Sequence, residues 1–465
     1  MLFSSPAFFL FFLAYYCCHL LVPVRQRIYL IIAGSTIFYA WWKVEYVWLP
    51  FLLMAIAYAG VMWLTRALTA ESRRRRSAIA IALLFVPLLV FKYTNFVYRD
   101  VLGPLFGWQG TLIDLGLPLG VSFVTFTLTA FVVDIQKRRF PNVPGAATTL
   151  AYVLFFPHLI AGPILRPNEL IPQLQHPRRF PFRRVAVPLA VFTVGLIKKL
   201  VLADPIAEVV DGIYAGAAEG LSAPAALLAM YGFSVQIYCD FSGYTDMAIG
   251  LALMLGVRLP NNFFRPYAAV SIVDFWRRWH VTLSFWLRDY LYIPLGGSRH
   301  GRLQQVRNTV ITMVLGGLWH GANWTFVIWG FLHGVAVSAA HALQSSTKRE
   351  RLVPRWLGVL LTFHLVTVLW VFFRSPNTQV AFQVLRGAVA GGEWGSAAAL
   401  MQGNLFVVGA IVLFLALHRF DDQRRVKLAA RRSRPEVLWP TMLFLWIAAI
   451  TISQGSSAKF IYFDF

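Results

Sequence analysis

Long apolar runs, cut apart by short basic links, leave this 465-residue chain few ways to fold. Stretches such as 3–22, 46–64, 78–97, 117–135, 356–373 and 437–452 carry almost no charge. A run of about 20 apolar residues is the length that crosses a bilayer as a helix. Lipid offers the backbone no hydrogen-bond partner, so such segments must satisfy their N–H and C=O groups internally. Composition agrees: 58% of the residues are hydrophobic and 13% charged, whereas a soluble domain averages about 25% charged. The expectation is an all-α polytopic membrane protein, a single domain over residues 1–465, with about 11–12 spans plus re-entrant or in-plane helices.

The net charge of +22 resides largely in the links between runs, at 73–76, 137–139, 178–184, 299–307, 348–355 and 424–434. Clustering of Lys and Arg in short loops marks the cytoplasmic side. These links lack interleaved stacking aromatics, which argues against a nucleic-acid partner and leaves membrane lipids as the partner of the charge. Counting basic links as cytoplasmic puts both termini outside, and the first run, with no basic n-region before it and no small-residue cleavage site after it, is expected to be a retained span. Segment 148–165 lies between two cytoplasmic links, so it is expected to be re-entrant or in-plane, broken at Pro157, Gly162 and Pro163. Segment 268–295 mixes aromatics with charge and is expected to lie at the interface, with Asp274 and Arg278 paired at i,i+4. Segment 308–342 is expected to form a hairpin with His320 at its turn.

Two histidines stand in tryptophan-rich apolar surroundings, His280 in DFWRRWH (274–280) and His320 in LGGLWHGANW (315–324). An ionisable group held at membrane depth is expensive and marks a functional site by default. Imidazole titrates near neutral pH and suits proton abstraction. The alternative is an imidazole hydrogen-bonded between helices. Asp240, Ser242, Tyr244 and Asp246 place four polar groups in another apolar stretch, either to bind substrate or to pack helices. Arg277, Arg278 and Arg288 are candidates for phosphates or for lipid headgroups. No His, Cys, Asp or Glu cluster has metal-ligand spacing, and the three cysteines form no disulfide frame. The tail 454–465 ends in alternating aromatics, which should not stay exposed to water.

Eight strings in register resemble the membrane-bound O-acyltransferase (MBOAT) family, in its bacterial AlgI/DltB branch and on the alginate O-acetyltransferase side. They are LPLGVSF (117–123), FFPHLIAGPILR (155–166), GLIKKLVLAD (195–204), QIYCDFSGYTD (236–246), DFWRRWH (274–280), WLRDYLYIPLGG (286–297), LGGLWHGANW (315–324) and FIYFDF (460–465). The resemblance implies the MBOAT fold around a central funnel, with His320 catalytic and His280 lining the same site. It implies acetyl-CoA as donor substrate with no further cofactor, the cell inner membrane as location, and an extracytoplasmic SGNH-type acetyltransferase as partner. The implied product is an O-acetylated exopolysaccharide, as in alginate biosynthesis. Asn323, beside His320, joins the substrate-binding candidates. Tyr462 becomes an acyl-carrier candidate, because a similar motif in the same branch is implicated as a tyrosine carrier; a docking plug is the alternative.

Peptidoglycan O-acetylation and D-alanyl transfer to teichoic acid are the rivals within the same chemistry. From another class, a transporter or flippase would share the spans and the buried polar groups. It has no evident need of a glycine-flanked His320.

Overall fold

The computed structural model describes residues 1–107, 116–140, 142–160, 162–178, 180–181, 184–347, 353–453, 458 and 460–461. The regular structure among these residues is helical, with no strand. Six helices are long and apolar enough to cross a membrane: Val44–Thr65, Ala70–Phe106, Ala186–Ala215, Trp324–Leu343, Arg355–Arg374 and Pro435–Ile452. The pair Trp394–Gly403 and Leu405–Phe420, bent by 91°, makes a seventh if it is one span.

This all-α membrane architecture is the expected one, and the count of about 11–12 differs for local reasons. Pro6–Leu21 and Val121–Gln136 are apolar but only 16 residues each, about 24 Å at 1.5 Å per residue. The apolar stretch that holds Asp240 and Asp246 is one helix, Ala223–Met254, of 32 residues. It carries Asp240 and Asp246 at its centre, which lowers its mean hydropathy without stopping the helix.

The described residues divide into two compact units. The first comprises Met1–Phe192 and Met247–Pro260. Its helices Trp48–Thr65 and Ala70–Leu88 approach closely at Gly60, where an added Cβ would lie 2.6 Å from the Cβ of Ala80. Segment 148–165 is built here as the helix Ala146–Leu154, a break at Phe155 and the single turn Phe156–Leu159. Nine residues reach about 14 Å, too short to cross. His158 is spent within this break, its Nε2 lying 2.8 Å from the carbonyl of Tyr152.

The second unit comprises Thr193–Asp246 and Asn261–Phe465. Its organising element is the hairpin of Arg302–His320 and Trp324–Thr347, with His320 as the last residue of the first arm. The arms meet through glycine. An added Cβ at Gly317 would sit 2.2 Å from the carbonyl oxygen of Phe326, and one at Gly330 would sit 2.3 Å from that of Met313. Segment 268–295 forms two short helices, Ile272–Trp276 and Val281–Leu287, parted at His280. Asp274 and Arg278 pair at 2.8 Å.

Candidate active site

His280 and His320 both belong to the second unit, and both are buried. His320 closes the helix Arg302–His320, so the carbonyl end of that helix dipole points towards it. A helix C-terminus favours positive charge, the charge a base acquires when it takes a proton. Trp319, Trp329 and Phe373 surround its ring, at centroid distances of 4.9, 5.4 and 5.2 Å. Trp319 also faces His280 at 6.3 Å, so one indole stands between the two imidazoles.

His280 adopts φ 40° and ψ 53°, the left-handed region. That region costs most residues about 1–3 kcal/mol and persists where surrounding bonds hold it. Those bonds come from Asn262. Its backbone oxygen accepts from the Val281 N–H at 3.1 Å. Its Oδ1 accepts from the Thr282 N–H at 3.2 Å and from the Thr282 hydroxyl at 2.9 Å. The His280 Nδ1 lies 3.2 Å from the same Oδ1. An atom receiving a backbone N–H is an acceptor, so Nδ1 must be the donor. The neutral ring then carries its lone pair on Nε2. Burial lowers this imidazole to about 3, keeping it neutral. Nε2 is a buried acceptor that no donor among the described residues meets.

A third imidazole extends the cluster. The Trp276 indole N–H donates to His333 Nδ1 at 3.2 Å, and Trp329 packs on His333 at 4.7 Å. Trp276 also lines a cavity of about 460 Å³ together with Arg277, Arg288, Tyr292 and His341. Two of the candidate arginines therefore share one opening, whose Trp276 wall touches His333. Arg278 turns to Asp274 instead. Asn323 caps the second arm of the hairpin through its Oδ1 to the Thr325 N–H at 3.0 Å. Its amide ties to the Pro376 carbonyl at 2.7 Å.

The polar groups of Ala223–Met254 are engaged by two neighbouring lysines. Lys198 bridges Asp246 and Asp421 at 2.9 and 2.8 Å, and Lys199 bridges Asp204 and Asp240 at 2.7 and 2.9 Å. The backbone widens to π-helix over Lys198–Ala203, a local feature frequent at functional positions. Asp240 also accepts from the Ile461 N–H at 2.8 Å. Phe460 is buried and stacks on Tyr244 at 4.5 Å, and it meets Phe241, whose ring lies 4.7 Å from His280. The Ser242 hydroxyl is buried without a partner among the described residues. Tyr462 lies outside the described residues. Among the described residues, no three His, Cys, Asp or Glu side chains gather as a metal-ligand set.

Sequence reasoning missed Asn262, His333 and the lysine pair. Lys198-Lys199 inside an apolar run was the one available signal, since buried lysines require carboxylates. Nothing in the sequence singles out Asn262, which reaches His280 from 18 residues away.

A family model now joins this geometry: that of MBOAT, the membrane-bound O-acyltransferase family, matches residues 28–378. The chain belongs to the membrane-bound O-acyltransferase family. It is a multi-pass membrane O-acyltransferase. It is 39% identical to the probable alginate O-acetylase AlgI of Azotobacter vinelandii, over 85% of this chain and 79% of that protein. It is 37% identical to the peptidoglycan O-acetyltransferase of Helicobacter pylori, over 84% of this chain and 80% of the relative. Similarity to the teichoic acid D-alanyltransferase of Bacillus subtilis is lower, 27% over 56% of this chain and 69% of that protein.

Proposed function

We propose that this acyltransferase takes acetyl from cytoplasmic acetyl-CoA and exports it, across a bacterial inner membrane, for O-acetylation of an exported polysaccharide. One observation carries the reading: two buried imidazoles flank Trp319, and Arg277 and Arg288 line one cavity of the same unit. In this reading the arginines take the phosphates of coenzyme A, because guanidinium pairs with phosphate through parallel hydrogen bonds. His280 lines the acceptor pocket, and the proton of the attacking hydroxyl points at His320. His320 removes that proton as the oxygen attacks the thioester carbonyl carbon. The carbon–sulfur bond then breaks and the thiolate takes the proton back from His320, so the site ends as it began. General-base assistance of this kind contributes roughly 10²–10⁴-fold.

The topology proposed with it has both termini extracytoplasmic, where an SGNH-type partner would collect the acetyl group, with Tyr462 as candidate carrier. The relatives named as alginate O-acetylases support an alginate-like acceptor, and the Helicobacter relative supports peptidoglycan as a second reading.

The test is transfer of radiolabelled acetyl from acetyl-CoA in proteoliposomes, comparing wild type, His320→Ala and Tyr462→Phe. Loss of transfer in His320→Ala with donor binding retained is expected. Label on the wild-type protein that disappears with Tyr462→Phe supports the carrier. A wild type that turns over no thioester with its partner present points to a transporter instead.

A further inference from the structure

Chain ends stay loose unless something ties them down, and the C-terminal segment of this chain is tied at two carboxylates. The ammonium of Lys199 holds Oδ1 of Asp204 at 2.7 Å and Oδ1 of Asp240 at 2.9 Å. The second oxygen of each carboxylate goes to the tail. Asp204 Oδ2 accepts the Ala458 N–H at 3.3 Å, and Asp240 Oδ2 accepts the Ile461 N–H at 2.8 Å. One lysine thereby sets two acceptors, from the helices Asp204–Ala215 and Ala223–Met254, against two amides of one short segment. All of these residues belong to the second unit.

A backbone N–H is the same in every residue but proline, so the carboxylates read the course of the tail and not its letters. A hydrogen bond to an ionised acceptor is roughly twice as strong as one between neutral groups. Register comes from Phe460. It is wholly buried, stacks on Tyr244 at 4.5 Å and meets the Phe241 ring at 5.9 Å. Ala458 is exposed by contrast. The same Phe241 ring stands 4.7 Å from His280, so the buried anchor of the tail is one ring removed from an imidazole of the site. A plug held by burial alone would need no paired carboxylates behind it.

We propose that Lys199, Asp204 and Asp240 form a seat for the C-terminal segment, engaged through backbone N–H groups and registered by Phe460. They are positioning residues and act through the tail. The inference rests on the reading in which Tyr462, two residues beyond Phe460 in the sequence, carries the acetyl group. It names what holds that carrier to the site.

The experiment measures hydrogen–deuterium exchange of the C-terminal peptide by mass spectrometry, on the full chain in detergent, alongside labelling of Tyr462 from radiolabelled acetyl-CoA. Wild type is expected to protect the amides of Ala458 and Ile461. Ile461→Pro deletes a donor and should speed exchange of the remaining tail amides roughly tenfold, about 1.4 kcal/mol. Ile461→Val keeps the donor and should keep the protection. Phe460→Ala should release the tail at least tenfold and slow the labelling of Tyr462 to match, with acetyl-CoA binding unchanged. An unprotected tail in folded wild type, equal exchange in Phe460→Ala, or a loss in Ile461→Val as large as in Ile461→Pro each overturns the seat. Full-rate labelling of a released tail overturns it too, since the seat then positions nothing. Protection with no label on Tyr462 keeps the seat and removes the carrier reading. Label on an unprotected wild-type tail keeps the carrier and removes the seat.

Discussion

Asn262 Oδ1 fixes which nitrogen of His280 carries the proton, because it also accepts the backbone N–H of Thr282. One carbonyl oxygen thereby sets the tautomer of a buried imidazole and the backbone turn that presents it. Asn262→Ala strands three donors at once, and each buried unmatched donor costs about 1–3 kcal/mol. A drop in the unfolding temperature together with a fall in kcat of tenfold or more is expected. Activity and stability both unchanged would show that the hydrogen bond sets nothing.

The backbone at His280 separates its two roles. Asparagine tolerates the left-handed region and β-branched residues do not. His280→Asn should fold and lose most transfer, whereas His280→Val should lose stability as well, by about 1–2 kcal/mol. Comparing yield of monodisperse protein with turnover distinguishes the two.

Acid should act on this protein partly through the same ring. The unfolded imidazole has its ordinary value of 6.5, and the folded one is lowered to about 3 by burial. Between these values the unfolded chain binds a proton that the folded chain does not. The stability from a neutral His280 is therefore fully present above pH 6.5 and declines as pH falls through the window towards 3. Unfolding temperatures of wild type and His280→Asn, measured at pH 7 and pH 5, should fall more for wild type.

Lys199 neutralises the buried carboxylate of Asp240 and the half-buried one of Asp204, so Lys199→Met should be severe, about 3–5 kcal/mol for leaving buried charge unmatched. Adding Asp204→Asn and Asp240→Asn removes that charge and should recover most of the loss. If the triple variant is no better than the single, the lysine acts by packing alone.

At Gly317 a methyl group would meet the carbonyl of Phe326 at 2.2 Å, and the hairpin would have to part to admit it. Gly317→Ala is expected to cost about 1–3 kcal/mol. Because the same helix ends in His320, turnover should fall further than stability. Normal kcat in Gly317→Ala would mean that the hairpin does not set the position of the imidazole.

The hairpin and its terminal histidine were legible because glycine, tryptophan and histidine fall together between two basic links, a pattern short enough to read locally. The helix Ala223–Met254 was not read at its true length. Its carboxylates read as substrate-binding or helix-packing groups, and the lysines from a different segment that pair with Asp246 and Asp240 leave no local pattern. The interfacial segment 268–295 reads as one amphipathic helix because aromatic and charged residues mix all along it. The break at His280 comes from Asn262, and a partner 18 residues away leaves no trace in periodicity. The pairing of Arg278 with Asp274 was legible from their i,i+4 spacing, but the cavity shared by Arg277 and Arg288 was not, since residues from several elements line it.

The left-handed turn at position 280 also restricts how this protein can drift. A lineage that lost the chemistry could not replace this histidine freely, because most side chains would forfeit the turn along with the imidazole. Its vestigial form should carry asparagine, aspartate or glycine there, so a dead enzyme of this kind would keep its shape and reveal its loss by that single letter.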